Sequence, residues 1–177
     1  MEYGHRWLRR KTIDEKVFNK IVDDMHKVAL AAKIPLADVH GKAQYMSKLF
    51  KTPSKKVAFQ GVSGKSTGLF MLPQFTGAHA ANPSGYFPYS CTTNKTDFDL
   101  IVQAALVICK HHLGRGFLVR SDGKKKDWAK ARELCQKTLK YGGDFAIGRD
   151  VPPRKKKAAA KPPLPAKKVS TPQHASA

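Results

Sequence analysis

The segment with the most recognisable chemistry is Gly61-Val62-Ser63-Gly64-Lys65-Ser66-Thr67, which is similar to a phosphate-binding P-loop. The P-loop pattern requires a glycine five residues before Gly64, where this chain has Phe59. A P-loop must also open a helix that faces phosphate, whereas the residues after Thr67 have the pattern of a strand. The sequence therefore predicts no nucleotide hydrolysis here. Lys65, at the tip of a Gly/Ser-rich hairpin, is retained as a candidate phosphate contact.

Histidines and cysteines are the next candidates, either as metal ligands or as a nucleophile with its base. His111 and His112 follow Cys109 near the end of a predicted helix, but no local set of four ligands can be assembled. Cys91 and Cys135 complete an odd, widely spaced set without CxxC spacing, which indicates a reducing compartment rather than a disulfide scaffold. We therefore predict no catalytic residue, no metal site and no cofactor.

Charge is the dominant property of the chain, because 33 Lys and Arg oppose 13 Asp and Glu, a net charge of +20. Such an excess repels itself in a compact state and usually has an anionic partner. A nucleic-acid backbone is the natural partner, since each neutralised phosphate releases counterions. An anionic membrane surface is the second possibility.

Residues 148–177 form a segment of distinct composition. It contains eight Lys or Arg against Asp150 alone, so it carries +7 of the +20 and leaves +13 on residues 1–147. Prolines and few large apolar residues predict disorder. Such a tail binds nucleic acid by charge without reading sequence, serves nuclear import, or merely aids solubility. Its candidate contacts are Arg154, Lys155, Lys156, Lys157, Lys161, Lys167 and Lys168.

Two further basic clusters lie in the body of the chain. The first comprises Arg6, Arg9, Arg10 and Lys11, with Trp7 among them. Trp7 would either stack on a base or anchor the N-terminus to the core. The second cluster precedes the last predicted helix, where cations are disfavoured by the helix dipole unless an anion binds or water screens them. It consists of Lys124, Lys125 and Lys126.

The helices and strands that position these residues are predicted from the spacing of apolar residues and from the positions of capping residues and proline. Apolar spacing predicts helices over 13–33, 37–51, 97–112 and 127–141, with capping boxes at Thr12 and Thr96. Strands are predicted over 56–60, 68–72, 86–91 and 116–120, the third at a sheet edge because it contains Pro88. The predicted fold is α+β: a small antiparallel sheet packed against two helices, an N-terminal helical pair and a disordered C-terminal tail. The predicted division is 1–54 as an N-terminal helical segment, 55–147 as an α+β core and 148–177 as the basic Ala/Lys/Pro tail.

Three segments between residues 59 and 141 form an ordered set of motifs. They are Phe59-Gln60-Gly61-Val62-Ser63 with Leu69-Phe70, then Cys91-Thr92-Thr93-Asn94-Lys95-Thr96-Asp97-Phe98-Asp99 with Lys110-His111-His112, then Arg120-Ser121-Asp122-Gly123 with Asp127-Trp128. The set resembles a family of uncharacterised bacteriophage and bacterial proteins with F-N-G-x-G, C-K-T-x-x-K-P-Y-D and S-S-D-G segments. That family often has His-Glu before its T-F pair, where this chain has Thr67 and Gly68. The resemblance implies a phage or viral origin and a compact α+β unit, and the tail resembles those of linker histones.

These observations lead to one functional expectation and two alternatives. We expect a non-enzymatic protein that binds DNA or RNA through charge, with a role in viral genome packaging or organisation. One alternative is a virion structural or interaction protein with an acidic protein partner, and the other is a nucleic-acid-processing enzyme. The N-terminus has no apolar signal region, and the longest apolar run, over 100–109, is too short to span a bilayer. We therefore expect a location inside the host cell, in cytoplasm or nucleus, or in the virion.

Overall fold

The computed structural model describes residues 2–10, 12–50, 55–62, 68–76, 81 and 85–148. It contains four helices and two antiparallel sheets, which confirms the α+β class. The helices are α1 (Glu15–Ala32), α2 (Met46–Phe50), α3 (Asp97–Leu113) and α4 (Ala129–Leu139). The strands are β1 (Gly4–Arg9), β2 (Leu36–Ala37), β3 (Ala43–Gln44), β4 (Lys56–Gly61), β5 (Phe70–Pro73), β6 (Phe87–Thr92) and β7 (Phe117–Ser121).

The first sheet has three strands in the order β6-β1-β7. Strand β1 was not predicted, yet it is the central strand and pairs with both neighbours in antiparallel register. The strand containing Pro88 lies at the edge, as predicted, because proline cannot donate to an inner ladder. Along β1, His5, Trp7 and Arg9 are buried while Arg6 is exposed. This two-residue alternation is typical of a half-buried strand, but basic side chains on both faces conceal it in the sequence.

The second sheet has four strands in the order β3-β2-β4-β5. The predicted helix over 37–51 is wrong for most of its length, since only Met46–Phe50 is helical. The preceding residues form two short strands joined by a turn at Asp38, whose carboxylate accepts hydrogen bonds from the His40 and Lys42 amides. A side chain that bonds nearby amides in this way competes with helix formation. Helices α1 and α2 thus form the predicted pair, but the same segment also contributes β1, β2 and β3.

Helix α3 is the centre of the core and packs against α1 and α4. Residues 101–109 are all buried, as expected for a helix that is apolar on all sides. The helix ends at Gly114, whose amide donates to the Lys110 carbonyl. The predicted cap of α1 at Thr12 is wrong, because the carboxylate of Asp14 accepts from the first amides of the helix. None of the helices in the described residues is long and apolar enough to cross a membrane.

Helix α4 is shorter than the predicted range of 127–141. A 3₁₀ turn over Lys125–Trp128 precedes it, and Lys140 caps its C-terminus in the left-handed conformation. Its buried residues are Ala131 and Cys135, which pack against the α3 side of the core. The three lysines before the helix are therefore held at the turn that follows β7.

Candidate nucleic-acid interface

The outer face of the three-stranded sheet is open and basic. Arg6 of β1 and Arg120 of β7 lie directly opposite each other in the antiparallel register, and both are exposed. The other outward-facing residues of these strands are Gly4, Leu8, Pro88, Ser90, Thr92 and Leu118. The structure describes every residue of the three strands, and none of the outward-facing ones is acidic. Like charges placed directly across two strands destabilise a sheet, so this pair has a cost that a bound anion would offset.

Four of the predicted contacts, in two groups, extend this basic face at its ends. Arg10 is exposed at the end of β1, where its guanidinium lies 5.8 Å from the centre of the Tyr86 ring and its amide donates to the Gly116 carbonyl. Lys124, Lys125 and Lys126 are exposed in the turn after β7. Asp127 accepts from the Lys124 amide at 2.7 Å and so caps this turn. The remaining predicted contacts, Lys11, Lys65, Arg154, Lys155, Lys156, Lys157, Lys161, Lys167 and Lys168, lie outside the described residues.

Trp7 does not belong to the interface, and the prediction that it stacks on a base is wrong. Its side chain is 1% exposed and packs into the core. The indole ring stacks on Phe70 with centroids 5.1 Å apart and on Tyr89 at 6.0 Å. Because strand residues alternate between faces, Trp7 points inward where Arg6 points outward. The alternative interpretation, an anchor of the N-terminus to the core, is the correct one.

Arg9 is the second predicted contact that the structure removes from the exposed face. It follows Trp7 by two residues and therefore also points inward, where it is 1% exposed. Its Nη1 lies 3.4 Å from the Gln74 carbonyl oxygen, and its guanidinium lies 5.7 Å from the centre of the Tyr89 ring. Its Nε and Nη2 have no hydrogen-bond partner in the described part of the chain. A buried guanidinium with two unsatisfied donors is an unusual feature, since buried charges are normally paired.

Arg120 is the residue that sequence reasoning missed. In the sequence it stands alone before Ser121-Asp122-Gly123, away from any basic run. Only the register between β1 and β7 places it beside Arg6. A prediction that recognised the alternation in β1 would have found Arg6 on the outer face, but it would not have identified the opposite residue.

A buried polar network lies under the other end of the sheet and joins β1, α3 and β7. His5 Nε2 lies 2.7 Å from Asp99 Oδ1, and His5 Nδ1 lies 2.8 Å from Ser121 Oγ. Thr93 Oγ1 and Gln103 Nε2 also donate to the Asp99 carboxylate. The predicted capping box at Thr96 is therefore wrong, because the Asp99 side chain turns toward His5 and Thr96 makes no side-chain cap bond.

The order Ser121–His5–Asp99 is that of a hydrolase triad, but its surroundings are those of a structural network. The His5 side chain is wholly buried, and its ring packs edge-on against Trp128. Ser121 Oγ already accepts a hydrogen bond from the Gly123 amide at 2.9 Å, within the turn that ends β7. A nucleophile needs access to substrate and separate donors for the developing oxyanion. We therefore interpret these residues as an attachment of β1 to the core.

A second network accounts for the histidines considered above as metal ligands. His112 Nε2 lies 2.9 Å from the buried carboxylate of Asp24, and the Tyr141 hydroxyl donates to the same carboxylate oxygen at 2.8 Å. The His111 ring stacks on Tyr141 with centroids 3.7 Å apart. Burial acts to raise the pKa of Asp24, but hydrogen bonds from His112, Tyr141 and Lys20 outweigh it, so the pKa is lowered. Within the described residues, no group of three or more His, Cys, Asp or Glu side chains is arranged to hold a metal ion.

The three cysteines are buried thiols in the core. Burial raises the pKa of Cys91 and of Cys135 to about 12, and it also raises the pKa of Cys109. A thiol reacts as its thiolate, so these side chains are inert at neutral pH.

Comparison of the chain with protein-family models, with curated proteins and with solved structures gives no match. What the site can do is therefore argued from its own geometry and charge. Those features are an open sheet face with paired arginines, a lysine-rich turn beside it and a buried arginine behind it.

Proposed function

We propose that the outer face of the β6-β1-β7 sheet binds the phosphate backbone of nucleic acid. The observation that carries the proposal is the pair formed by Arg6 and Arg120, which face each other on adjacent strands whose outward-facing residues include no acidic side chain. The arrangement costs stability in the unbound protein, and phosphates bound one to each guanidinium offset that cost. Because the role is non-enzymatic, the proposal requires no catalytic group.

The basic face has the length of a backbone-binding strip. Strand residues rise about 3.3 Å each, so Arg6 and Arg10 lie about 13 Å apart along the outer face of β1. Leu8 and Leu118 form the cross-strand pair between them. Lys124, Lys125 and Lys126 continue the strip past the end of β7. The proposed contacts are those of arginine and lysine with phosphate, which do not depend on the base, so we expect binding with little sequence preference.

The tail, residues 148–177, provides further positive charge for nucleic-acid binding. Its eight Lys and Arg residues would follow the backbone beyond the sheet and contribute affinity without geometric selection. We propose a role in packaging or organising a viral genome, since that task needs high charge and low specificity. The support for the viral part of this proposal is the motif resemblance alone.

The test is a salt titration of nucleic-acid affinity with a charge-matched control. The variant R6Q/R120Q removes two charges from the sheet face, and K16Q/K48Q removes two from exposed positions on α1 and α2. Each lost phosphate contact reduces the slope of log K against log salt by about 0.9, so the sheet variant should lose about 1.8 from its slope. At 0.1 M salt this corresponds to roughly 50-fold weaker binding to duplex DNA.

The control should retain the slope of the parent protein to within about 0.5. Equal slopes for the two double variants would mean that the charge acts collectively and that the sheet face is not the site. Affinity of the parent protein that does not change with salt would remove the proposal altogether.

An acidic protein partner is the second candidate for the same face. The outward-facing apolar side chains of Leu8, Leu118 and Pro88 between the arginines favour it, since protein interfaces combine apolar contacts with arginine. Competition separates the two candidates. If polyglutamate displaces DNA only at a much higher concentration of charge than competing DNA does, the nucleic-acid function is supported. If the two competitors are equally potent, the protein partner is favoured.

A further inference from the structure

We propose that the cleft behind β1 is a binding site for a phosphate monoester, with Arg9 as its inner ligand and Arg10 as its outer one. The cleft has a volume of about 290 Å³ and is lined by Arg9, Arg10, Thr12, Ile13, Leu113 and Gly116. Its inner wall, at Arg9, lies on the opposite side of β1 from Arg6. Arg10, at its outer edge, is the one residue that the cleft shares with the open sheet face.

The first argument is that Arg9 has no counterion among the residues that the structure describes. It is 1% exposed, its Nε and Nη2 have no hydrogen-bond partner there, and it forms no ion pair with the described carboxylates. The segments 51–54, 63–67, 77–80 and 82–84, which the structure does not describe, contain no Asp or Glu. Asp150 is the one acidic residue of the chain outside the described residues. A buried unpaired charge is costly, so an external anion is the expected partner.

The neighbours of Arg9 hold its guanidinium in place without neutralising it. The Gln74 carbonyl accepts one weak hydrogen bond at 3.4 Å, and the Tyr89 ring offers one aromatic face at 5.7 Å. The C-terminus of α3, at Leu113, lies beside the cleft and carries about half a negative charge. A half charge compensates a full guanidinium only in part. Two donors of Arg9 therefore remain without a partner among the described residues.

The second argument concerns which anion fits. Arg9 and Arg10 together present two positive charges, and Thr12 adds a hydroxyl group to the lining. A phosphate monoester carries close to two negative charges at neutral pH, while a carboxylate carries one and would leave one guanidinium uncompensated. Guanidinium forks also match phosphate oxygens in geometry. A volume near 290 Å³ is at the lower limit for ligand pockets, so it suits a phosphate with one attached sugar rather than a larger molecule.

A phosphate monoester has two sources: a small molecule, such as a mononucleotide, or the phosphorylated end of a nucleic-acid chain. The second source rests on the proposed function above, whereas the first is independent of it. The chemistry at Arg9 is the same in both cases. The experiment therefore uses inorganic phosphate, a nucleoside 5′-monophosphate, and one oligonucleotide with and without a 5′-phosphate.

The full-length protein is titrated with each probe at constant ionic strength, with chloride as the reference anion, and binding is followed by calorimetry. We expect saturable binding of phosphate and of the monophosphate. Arg9→Met should weaken it roughly 10- to 100-fold, the loss expected for charge-assisted hydrogen bonds. This variant should also unfold at the same or a higher temperature, because methionine fills the space without an unpaired charge. The exposed Arg10→Gln, which leaves the core intact, should weaken binding about tenfold.

The sheet variant R6Q/R120Q is the matched control and should bind phosphate as tightly as the parent protein. If the proposed function is wrong, the slope of log K for DNA against log salt will be the same in R6Q/R120Q as in the parent protein. The phosphate titration can still be interpreted in that case. Preference for the 5′-phosphorylated oligonucleotide, lost in Arg10→Gln, would identify a chain end as the ligand. Equal binding of both oligonucleotides with tight monophosphate binding would identify a small molecule. Phosphate that binds no better than chloride, or that binds the Arg9 and Arg10 variants as tightly as the parent protein, overturns the inference.

Discussion

The buried Asp99 network gives the strongest prediction about stability. The variant Asp99→Ala removes the acceptor of three side chains, namely His5 at 2.7 Å, Gln103 at 2.8 Å and Thr93. These three donors are at most 2% exposed, so water does not replace the lost acceptor. A hydrogen bond to a charged group contributes about 1.5–3 kcal/mol, and three of them give at least about 4.5 kcal/mol if they are additive.

Rotation of the Thr93 hydroxyl to another acceptor reduces that sum. We therefore expect Asp99→Ala to lower the free energy of unfolding by about 4 kcal/mol, within the range of about 3–5 kcal/mol for breaking a buried pair. Ser121→Ala is the matched variant on the other side of His5. It removes one neutral hydrogen bond and should cost about 1 kcal/mol.

Urea unfolding of the three proteins measures these differences, provided that the slope with denaturant stays constant. The double variant H5L/D99A should cost less than the sum of its single variants, with a coupling of at least about 1 kcal/mol, because the two residues contact each other. A cost below about 1 kcal/mol for Asp99→Ala would show that the network does not attach β1 to the core. Labelling of Ser121 by a fluorophosphonate, abolished in His5→Leu, would refute the structural interpretation in favour of a hydrolase.

Two further predictions concern residues whose roles the structure redefines. Trp7→Ala should lower the free energy of unfolding, measured with urea, by about 3–5 kcal/mol. A folded Trp7→Phe protein should bind nucleic acid with unchanged affinity. A Trp7→Phe protein that folds stably but binds nucleic acid more weakly would contradict the burial of Trp7. Hydrogen bonds from His112, Tyr141 and Lys20 hold the pKa of Asp24 below its ordinary value of 3.8, so its stabilisation is complete above pH 3.8 and is lost as the pH falls through the folded-state pKa. Asp24→Asn should therefore reduce stability at pH 7 and flatten the fall of stability below pH 3.8, measured by urea unfolding at both pH values; an unchanged pH profile would exclude this role.

Local patterns were sufficient for the parts of the fold in which one element decides its own structure. Helix α3 is apolar on all sides and ends at Gly114, so its burial and its end were both predictable. The edge position of β6 follows from Pro88, which removes a donor from the ladder. The excess positive charge was likewise visible without a structure, as was its division between tail and body.

Local patterns failed where a polar side chain chose between local and distant partners. Asp38 bonds the amides of its own turn and prevents the predicted helix, while Asp14 rather than Thr12 caps α1. Asp99 was predicted to cap α3, but it bonds His5, which lies 94 residues away in the chain. Sequence spacing contains no information about such distant partners.

The sequence by itself therefore determined the charge, the central helix and the α+β class, because these depend on composition and on short-range periodicity. Only the tertiary structure decided what the basic residues of β1 do. Strand alternation sends Arg6 to the open face and Trp7 and Arg9 to the core, and pairing with β7 sets Arg120 opposite Arg6. A run of basic residues that looked uniform is thus divided between an exposed pair and a buried, unpaired guanidinium. The physical reason is that the face of a strand residue depends on pairing with strands distant in sequence.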